Sequence, residues 1–293
     1  MLDLQNVTKT FGNVKALDDL TMTVPRGAVY GLVGPNGAGK STAIRCLLGV
    51  YRPDCGTVTL DGAPVYENPV AKARIGSIPD DIFYYPSATM EDMRKFYQGI
   101  YPKFDQALYY KLFEAFDLPK KAPLRRFSKG MQKQAAFHLT LCTRPEVLVL
   151  DEPVDGLDPV MRRQVWSLIL SEVAKEETTV LISSHNLREL EDICDHVGIM
   201  DHGRMLLQRS LADMQGATHK LQLVGNIPEG LEILHQNQSG RLTTLIVRGK
   251  AEDIAAKARA AQCVYFDVLP LSLEEIFIYE LGGVNYEVKE ILL

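Results

Sequence analysis

The stretch GPNGAGKST at residues 34–42 constrains this chain more than any other. The run before it, AVYGLVG (28–34), is compact and apolar, the pattern of a buried strand, and AIRCLLGV after it has helical spacing. Gly34 to Ser41 matches G-x-x-x-x-G-K-[ST] in the strand, turn, helix setting that gives the pattern its meaning. Glycines 34, 37 and 39 let backbone N–H groups crowd around phosphate oxygens, with Asn36 in the same loop, and the helix N-terminus adds partial positive charge. Lys40 is expected to reach the β- and γ-phosphates. Ser41 is expected to place its hydroxyl on Mg²⁺, and Thr42 beside it to contact phosphate. A chain built this way folds as an α/β domain around a nucleoside triphosphate.

Two further apolar runs end in polar groups. EVLVLDEP (146–153) reads as a buried strand closing on Asp151, positioned to hold Mg²⁺ through its water shell, and Glu152, positioned to polarise an attacking water. TTVLISSH (178–185) is a third buried strand ending on His185, at the carboxyl edge where open α/β sheets bind ligands. Between them Asp158 and Pro159 form an N-cap and N1 pair for a helix. LRELEDICDHV (187–197) is expected to be helical, and VGIMDHGRML a hairpin turning on Asp201, His202 and Gly203. Apolar strands alternating with helices predict a mainly parallel sheet covered on both faces.

Length permits one large domain and a smaller one: 293 residues, 46% apolar. The composition shifts near residue 216. Beyond it KLQLV, EILHQ, TTLIVRG and CVYFDVL read as strands, with AEDIAAKARAAQ as a helix. SLEEIFIYEL follows as a last helix, carrying a capping box of Ser272 and Glu275. A net charge of −5 exerts no pull toward nucleic acid or anionic lipid. The five cysteines are far apart without C-x-x-C spacing, which points to buried thiols rather than a metal site. The N-terminus MLDLQNVTKT lacks the order of a signal peptide, and no apolar run approaches the ~20 residues of a membrane span. If the protein acts at a membrane, another chain supplies the spans.

FSKGMQKQ (127–134) carries no acid and no cysteine nucleophile. Ser128 is a natural N-cap, and Lys129 through Thr143 reads as helix. Ser128, Lys129 and Gly130 therefore present a helix N-terminus with a hydroxyl and a backbone N–H, an anion-binding end with no phosphate loop of its own. A GTPase would carry an N/T-K-x-D base-reading motif at a strand end, which is absent. A small-molecule kinase would carry an acceptor lid after the P-loop; this chain instead carries FSKGMQKQ ahead of its carboxylate strand.

The order GPNGAGKST, FSKGMQKQ, VLVLDEPVDGLDP, LISSH resembles the ATP-binding subunits of ABC transporters, over about residues 1–215. FSKGMQKQ, DGLDP and the C-terminal appendage look most like subunits paired with separately encoded export permeases. The fold this implies is a P-loop ATPase core with a mainly parallel sheet, an antiparallel β subdomain and an inserted α-helical subdomain at about 80–145. A small accessory α/β domain would occupy 216–293. The resemblance implies ATP and Mg²⁺ as ligands, Glu152 as catalytic base, His185 as the switch histidine on the γ-phosphate and Phe11 as the aromatic stacked on adenine. Gly156, Leu157 and Asp158 match the loop that meets a second subunit. Ser128 and Gly130 would cap the γ-phosphate held by that subunit, in a homodimer or heterodimer. An integral membrane permease would be the further partner, with the chain cytoplasmic and peripheral on the inner face of the membrane, and nucleic acid would not be a partner. A non-transport ATPase of the same superfamily, acting on ribosomes or DNA, is the alternative; such chains usually carry two domains or a long coiled-coil insertion, and this one has neither. Two positions depart from the family pattern. Asp80 stands where a glutamine or glutamate follows the proline, its reach to the Mg²⁺ shell shortened, and Met131 stands where glutamine is commonest.

Half of the twelve tyrosines and half of the ten phenylalanines fall between residues 82 and 116. Most are expected in the core of the helical subdomain, with some lining a groove for a permease helix. Lys120, Lys121, Arg125, Arg126, Lys129 and Lys133 are expected to form a solvated face.

Overall fold

The computed structural model describes residues 1–116, 118–176 and 178–275. Along the chain, β1 (Leu2–Phe11) and β2 (Val14–Val24) form a long hairpin, followed by β3 (Val29–Val33), α1 (Lys40–Leu47), β4 (Cys55–Leu60), β5 (Ala63–Pro64), α2 (Pro69–Lys72) and β6 (Ile75–Ile78). Next come α3 (Met90–Ile100), α4 (Gln106–Phe116), a 3₁₀ turn at Leu124–Arg126 and α5 (Lys129–Leu141). The chain then returns through β7 (Val147–Asp151), α6 (Pro159–Glu176), β8 (Thr179–Ser184), α7 (Arg188–Glu191), β9 (His196–Asp201) and β10 (Arg204–Ser210). The last described elements are α8 (Leu211–Ala217), β11 (Thr218–Val224), β12 (Glu232–Ser239), β13 (Leu242–Arg248), α9 (Ala251–Ala260) and β14 (Tyr265–Pro270).

A six-stranded sheet runs in the order β10-β9-β3-β8-β7-β6, and a four-stranded antiparallel sheet in the order β2-β1-β4-β5. The pairs β3–β8, β8–β7 and β7–β6 are parallel. Every residue of β3, β7 and β8 is buried, as the unbroken apolar runs require of a sheet covered on both faces. Register then decides where the chemistry lies. Val33 pairs with Ser184, and Asp151 with Ser183. Gly34, Glu152 and His185 are therefore the first residues beyond three adjacent carboxyl ends.

Two of the inserted helices are started by side chains. Thr89 and Asp92 close a capping box on α3, and Ser128 Oγ accepts from the Met131 amide at the start of α5. His138 lies at the centre of this bundle, fully buried, its ring 4.6 Å from that of Tyr109 and 5.6 Å from that of Phe113. The aromatic block divides: Tyr84, Tyr109 and Phe113 are buried, whereas Phe83, Tyr85, Phe96 and Tyr110 are exposed.

The chain forms two compact units. Among the described residues, one comprises 1–185 and 198–208, the other 186–197 and 209–275. The second unit contains an antiparallel sheet in the order β12-β13-β11-β14, and its core gathers Leu221, Leu223, Leu245, Val247, Ile254 and Ala258. Ser272 and Glu275 cap each other's backbone at 3.2 and 3.1 Å, while the remainder of the expected SLEEIFIYEL helix lies outside the described residues.

One expected element is corrected. The helix over 187–197 shrinks to the single turn α7, and His196 already begins β9. Val197, Gly198, Ile199 and Met200 are all buried in that strand, which lies between β10 and β3 in the sheet, so a continuous apolar run covered on both faces replaces the one-sided pattern of a surface helix.

Candidate active site

The P-loop closes a cleft of about 450 Å³ lined by Val14–Ala16, Pro35–Thr42, Asp80, Glu152, His202 and Gly203. Asn36 and Gly37 are exposed at the turn, and Gly39, at φ 103°, is the residue from which α1 starts. Lys40 is buried; its ammonium donates to the carbonyls of Gly34 at 2.6 Å and Pro35 at 3.3 Å, and lies 3.6 Å from Glu152 Oε1. Burial holds its pKa below that of a free lysine, against the opposing attraction of Glu152 and Asp151.

At the end of β7 the two acids are held differently. Asp151 is buried and accepts a 2.5 Å hydrogen bond from Ser183 Oγ. The Glu152 amide donates to the same Ser183, to its hydroxyl at 3.1 Å and its carbonyl at 3.2 Å. Glu152 adopts φ 46°, a left-handed conformation uncommon for a residue with a long side chain. Its Oε2 lies 3.0 Å from His185 Nδ1. Burial raises the Glu152 pKa, and Lys40 and His185 only partly offset it.

Ser41, Asp80 and Asp151 line one smaller cavity of about 150 Å³. Among the described residues no group of three or more His, Cys, Asp or Glu side chains is arranged to hold a metal. Few carboxylates beside a hydroxyl and a phosphate loop are a donor set that fits Mg²⁺, which is usually bound by one or two carboxylates together with nucleotide phosphates.

Residues 17–155 match the ABC transporter family model. Over 288 residues the chain is 30% identical to the ABC transporter ATP-binding protein YtrB of Bacillus subtilis, covering 97% of this chain and 99% of the relative. It is 32% identical over 292 residues to the Nod factor export ATP-binding protein I of Burkholderia lata, covering 94% and 95%. The chain belongs to the ATP-binding subunits of ABC transporters. A solved ATP-binding subunit of an ABC transporter superposes with a TM-score of 0.68 at 26% identity, covering 73% of this chain and 92% of that one. This ABC subunit is therefore an ATPase that binds ATP as its substrate.

The remaining candidates of the ABC subunit lie apart from its own cleft. Ser128 and Lys129 are exposed at the start of α5, and Gly130 is half-buried against Met161 and Leu157. Asp158 caps α6, accepting from the Met161 amide at 3.0 Å. Phe11 is not among the residues lining the cleft; its ring is half-exposed and meets Tyr51 edge-on at 5.2 Å. Phe11 is nevertheless the cross-strand partner of Val14, which does line the cleft.

Several contributors were not singled out from sequence. Val14–Ala16 and the 202–203 turn form walls of the cleft, and Ser183 joins the two acids. Ser183 was visible only as part of LISSH; its role needs the register of β7 against β8. Lys133 is a correction to the solvated basic face. It is 6% exposed, because α5 turns that side chain inward onto the carbonyls of Glu152 and Asp155, at 2.8 and 2.9 Å.

Proposed function

We propose that this ATPase powers export through a separately encoded membrane permease, and that two ATP-binding subunits close around ATP at each cycle. The observation that carries this reading is the placement of Ser128 and Gly130. They form an exposed helix N-terminus away from the chain's own P-loop cleft, an anion-binding end that a second subunit's nucleotide would complete. The second subunit is another copy of this chain or a paralogue. The Nod factor export relatives support the direction of transport.

In this reading Glu152 is the general base, His185 orients it and reports on the γ-phosphate, and Lys40 and Thr42 bind phosphate. Ser41 and Asp151, with Asp80 nearby, would hold Mg²⁺, which when bound neutralises charge on the phosphates. Phe11 at the rim of the cleft stacks on adenine. Among the described residues no helix is long and apolar enough to cross a membrane, so attachment to the inner face of the membrane would run through the permease. The exposed rings of Phe83, Tyr85 and Phe96, linked edge-on at 6.1 and 6.5 Å, are the surface of the helical subdomain suited to receive it.

The test is the mass of Glu152→Gln in solution, with and without Mg-ATP, by light scattering. Trapping ATP without hydrolysis is expected to convert monomer to dimer. A variant that binds ATP and stays monomeric, alone and when mixed with its permease, would refute dimer closure.

A further inference from the structure

Helix α5 begins at the candidate phosphate-capping residues and, one turn further on, sends one long side chain back to the catalytic loop. Lys133 is buried, and its ammonium donates to Glu152 O at 2.8 Å and Asp155 O at 2.9 Å. The same nitrogen lies 3.8 Å from Asp80 Oδ1, and Asp80 in turn lines the cavities that contain Ser41, Asp151 and Glu152. The two carbonyls bracket the turn that follows β7, in which the Asp155 amide also donates to Glu152 O at 3.3 Å. Glu152 is in a left-handed conformation there, one that persists only where its surroundings over-determine it. A lysine suits this place because its ammonium offers three donors on a four-carbon stem and carries no acceptor to repel the carbonyls.

We propose that Lys133 is a positioning residue for ATP hydrolysis: it clamps the 152–155 turn, and so the Glu152 carboxylate, to α5 and to Asp80. The proposal rests on Glu152 being the catalytic base. It gives α5 two ends of one lever. The N-terminus meets the other subunit's nucleotide, and the Lys133 ammonium holds the base of its own. A displacement of the helix by a fraction of an ångström is then felt at the carboxylate, without any contact between Lys133 and ATP.

The experiment measures ATP turnover and fluorescent-nucleotide affinity of the full chain for wild type, K133M, K133Q and E152Q. Methionine keeps the length and removes every donor; glutamine keeps an amide donor in a neutral side chain. The expected result is a kcat of K133M about 10- to 100-fold lower, the scale of a misplaced catalytic group, with KM and nucleotide affinity within about threefold. K133Q is expected to fall between K133M and wild type. Wild-type kcat in both variants, or kcat and affinity falling together in both, would overturn the proposal. Should K133M not fold, K133Q alone decides by the same criteria. Turnover of E152Q equal to wild type would instead remove Glu152 as the base, and the role of Lys133 with it.

Discussion

Replacing Gly39 by alanine tests whether the P-loop backbone is held in one shape by its surroundings. Gly39 has φ +103°, and a Cβ on it would sit 2.6 Å from the carbonyl oxygen of Ala16 and 3.2 Å from Leu17 Cδ2. Two costs add. Forcing a residue with a Cβ into positive φ costs roughly 1–2 kcal/mol, and displacing a packed backbone carbonyl costs about 1–3 kcal/mol. Gly37 separates them, because it has φ +84° and nothing within 4 Å of its Cβ position. Gly37→Ala therefore incurs the torsional part alone. The loop borders an open cleft, so it can relax into another shape without unmaking the core, and the cost appears in nucleotide affinity. The expected loss is roughly 30- to 4,000-fold for Gly39→Ala and roughly 5- to 30-fold for Gly37→Ala, at about 1.4 kcal/mol per decade. Titration with a fluorescent ATP analogue reads both, and thermal unfolding checks that the fold is retained. Equal losses in the two variants would refute the argument that Ala16 fixes the loop.

Three other outcomes follow from the same geometry. Burial lowers the His138 pKa from 6.5 to about 4, and its Nε2 must carry the proton because it donates to the Tyr109 carbonyl at 2.7 Å. The unfolded chain binds that proton below pH 6.5 and the native chain does not, so stability falls as pH drops from 6.5 toward 4, by about 2 kcal/mol between pH 7 and pH 5; urea midpoints at the two pH values should converge in His138→Gln. Ser183→Ala removes both the donor to Asp151 and an acceptor for the Glu152 amide, and a urea titration should show a loss of about 1–3 kcal/mol. Phe11→Ala should weaken ATP binding by roughly fivefold or more while Phe11→Tyr leaves it nearly unchanged, the mark of base stacking; equal affinities across all three would exclude the contact.

The parts of the site that are contiguous in sequence were legible in it. GPNGAGKST carries strand, turn and helix within a few residues of one another, and the carboxyl-terminal acids of β7 follow directly from an apolar run. Helix α5 likewise announced its own start through Ser128. What sequence could not supply were choices made by packing. Lys133 is one of several basic residues in its neighbourhood, and nothing local distinguishes the one that turns inward. Whether residues 187–197 continue as helix or enter a sheet depends on an available edge beside β3, which exists only after the sheet is assembled. Phe11 was legible as an aromatic in KTFGNVKAL, but its edge-on contact with Tyr51 and its pairing with the cleft-lining Val14 depend on the register of β1 against β2.

The turn between β9 and β10 also sets an order in time. Its Gly203 amide donates to Ala38 O at 2.9 Å, and its carbonyl accepts from the Asp18 amide at 3.0 Å, so three distant stretches of backbone meet behind the phosphate loop. Residues 17–155 carry the family match, yet they do not contain this brace. A ribosome working at about 5–20 residues per second reaches Gly203 roughly 8–33 s after Ala38. Until then the nascent P-loop lacks one of its walls, and ATP arrives at a site that its own later sequence has still to finish.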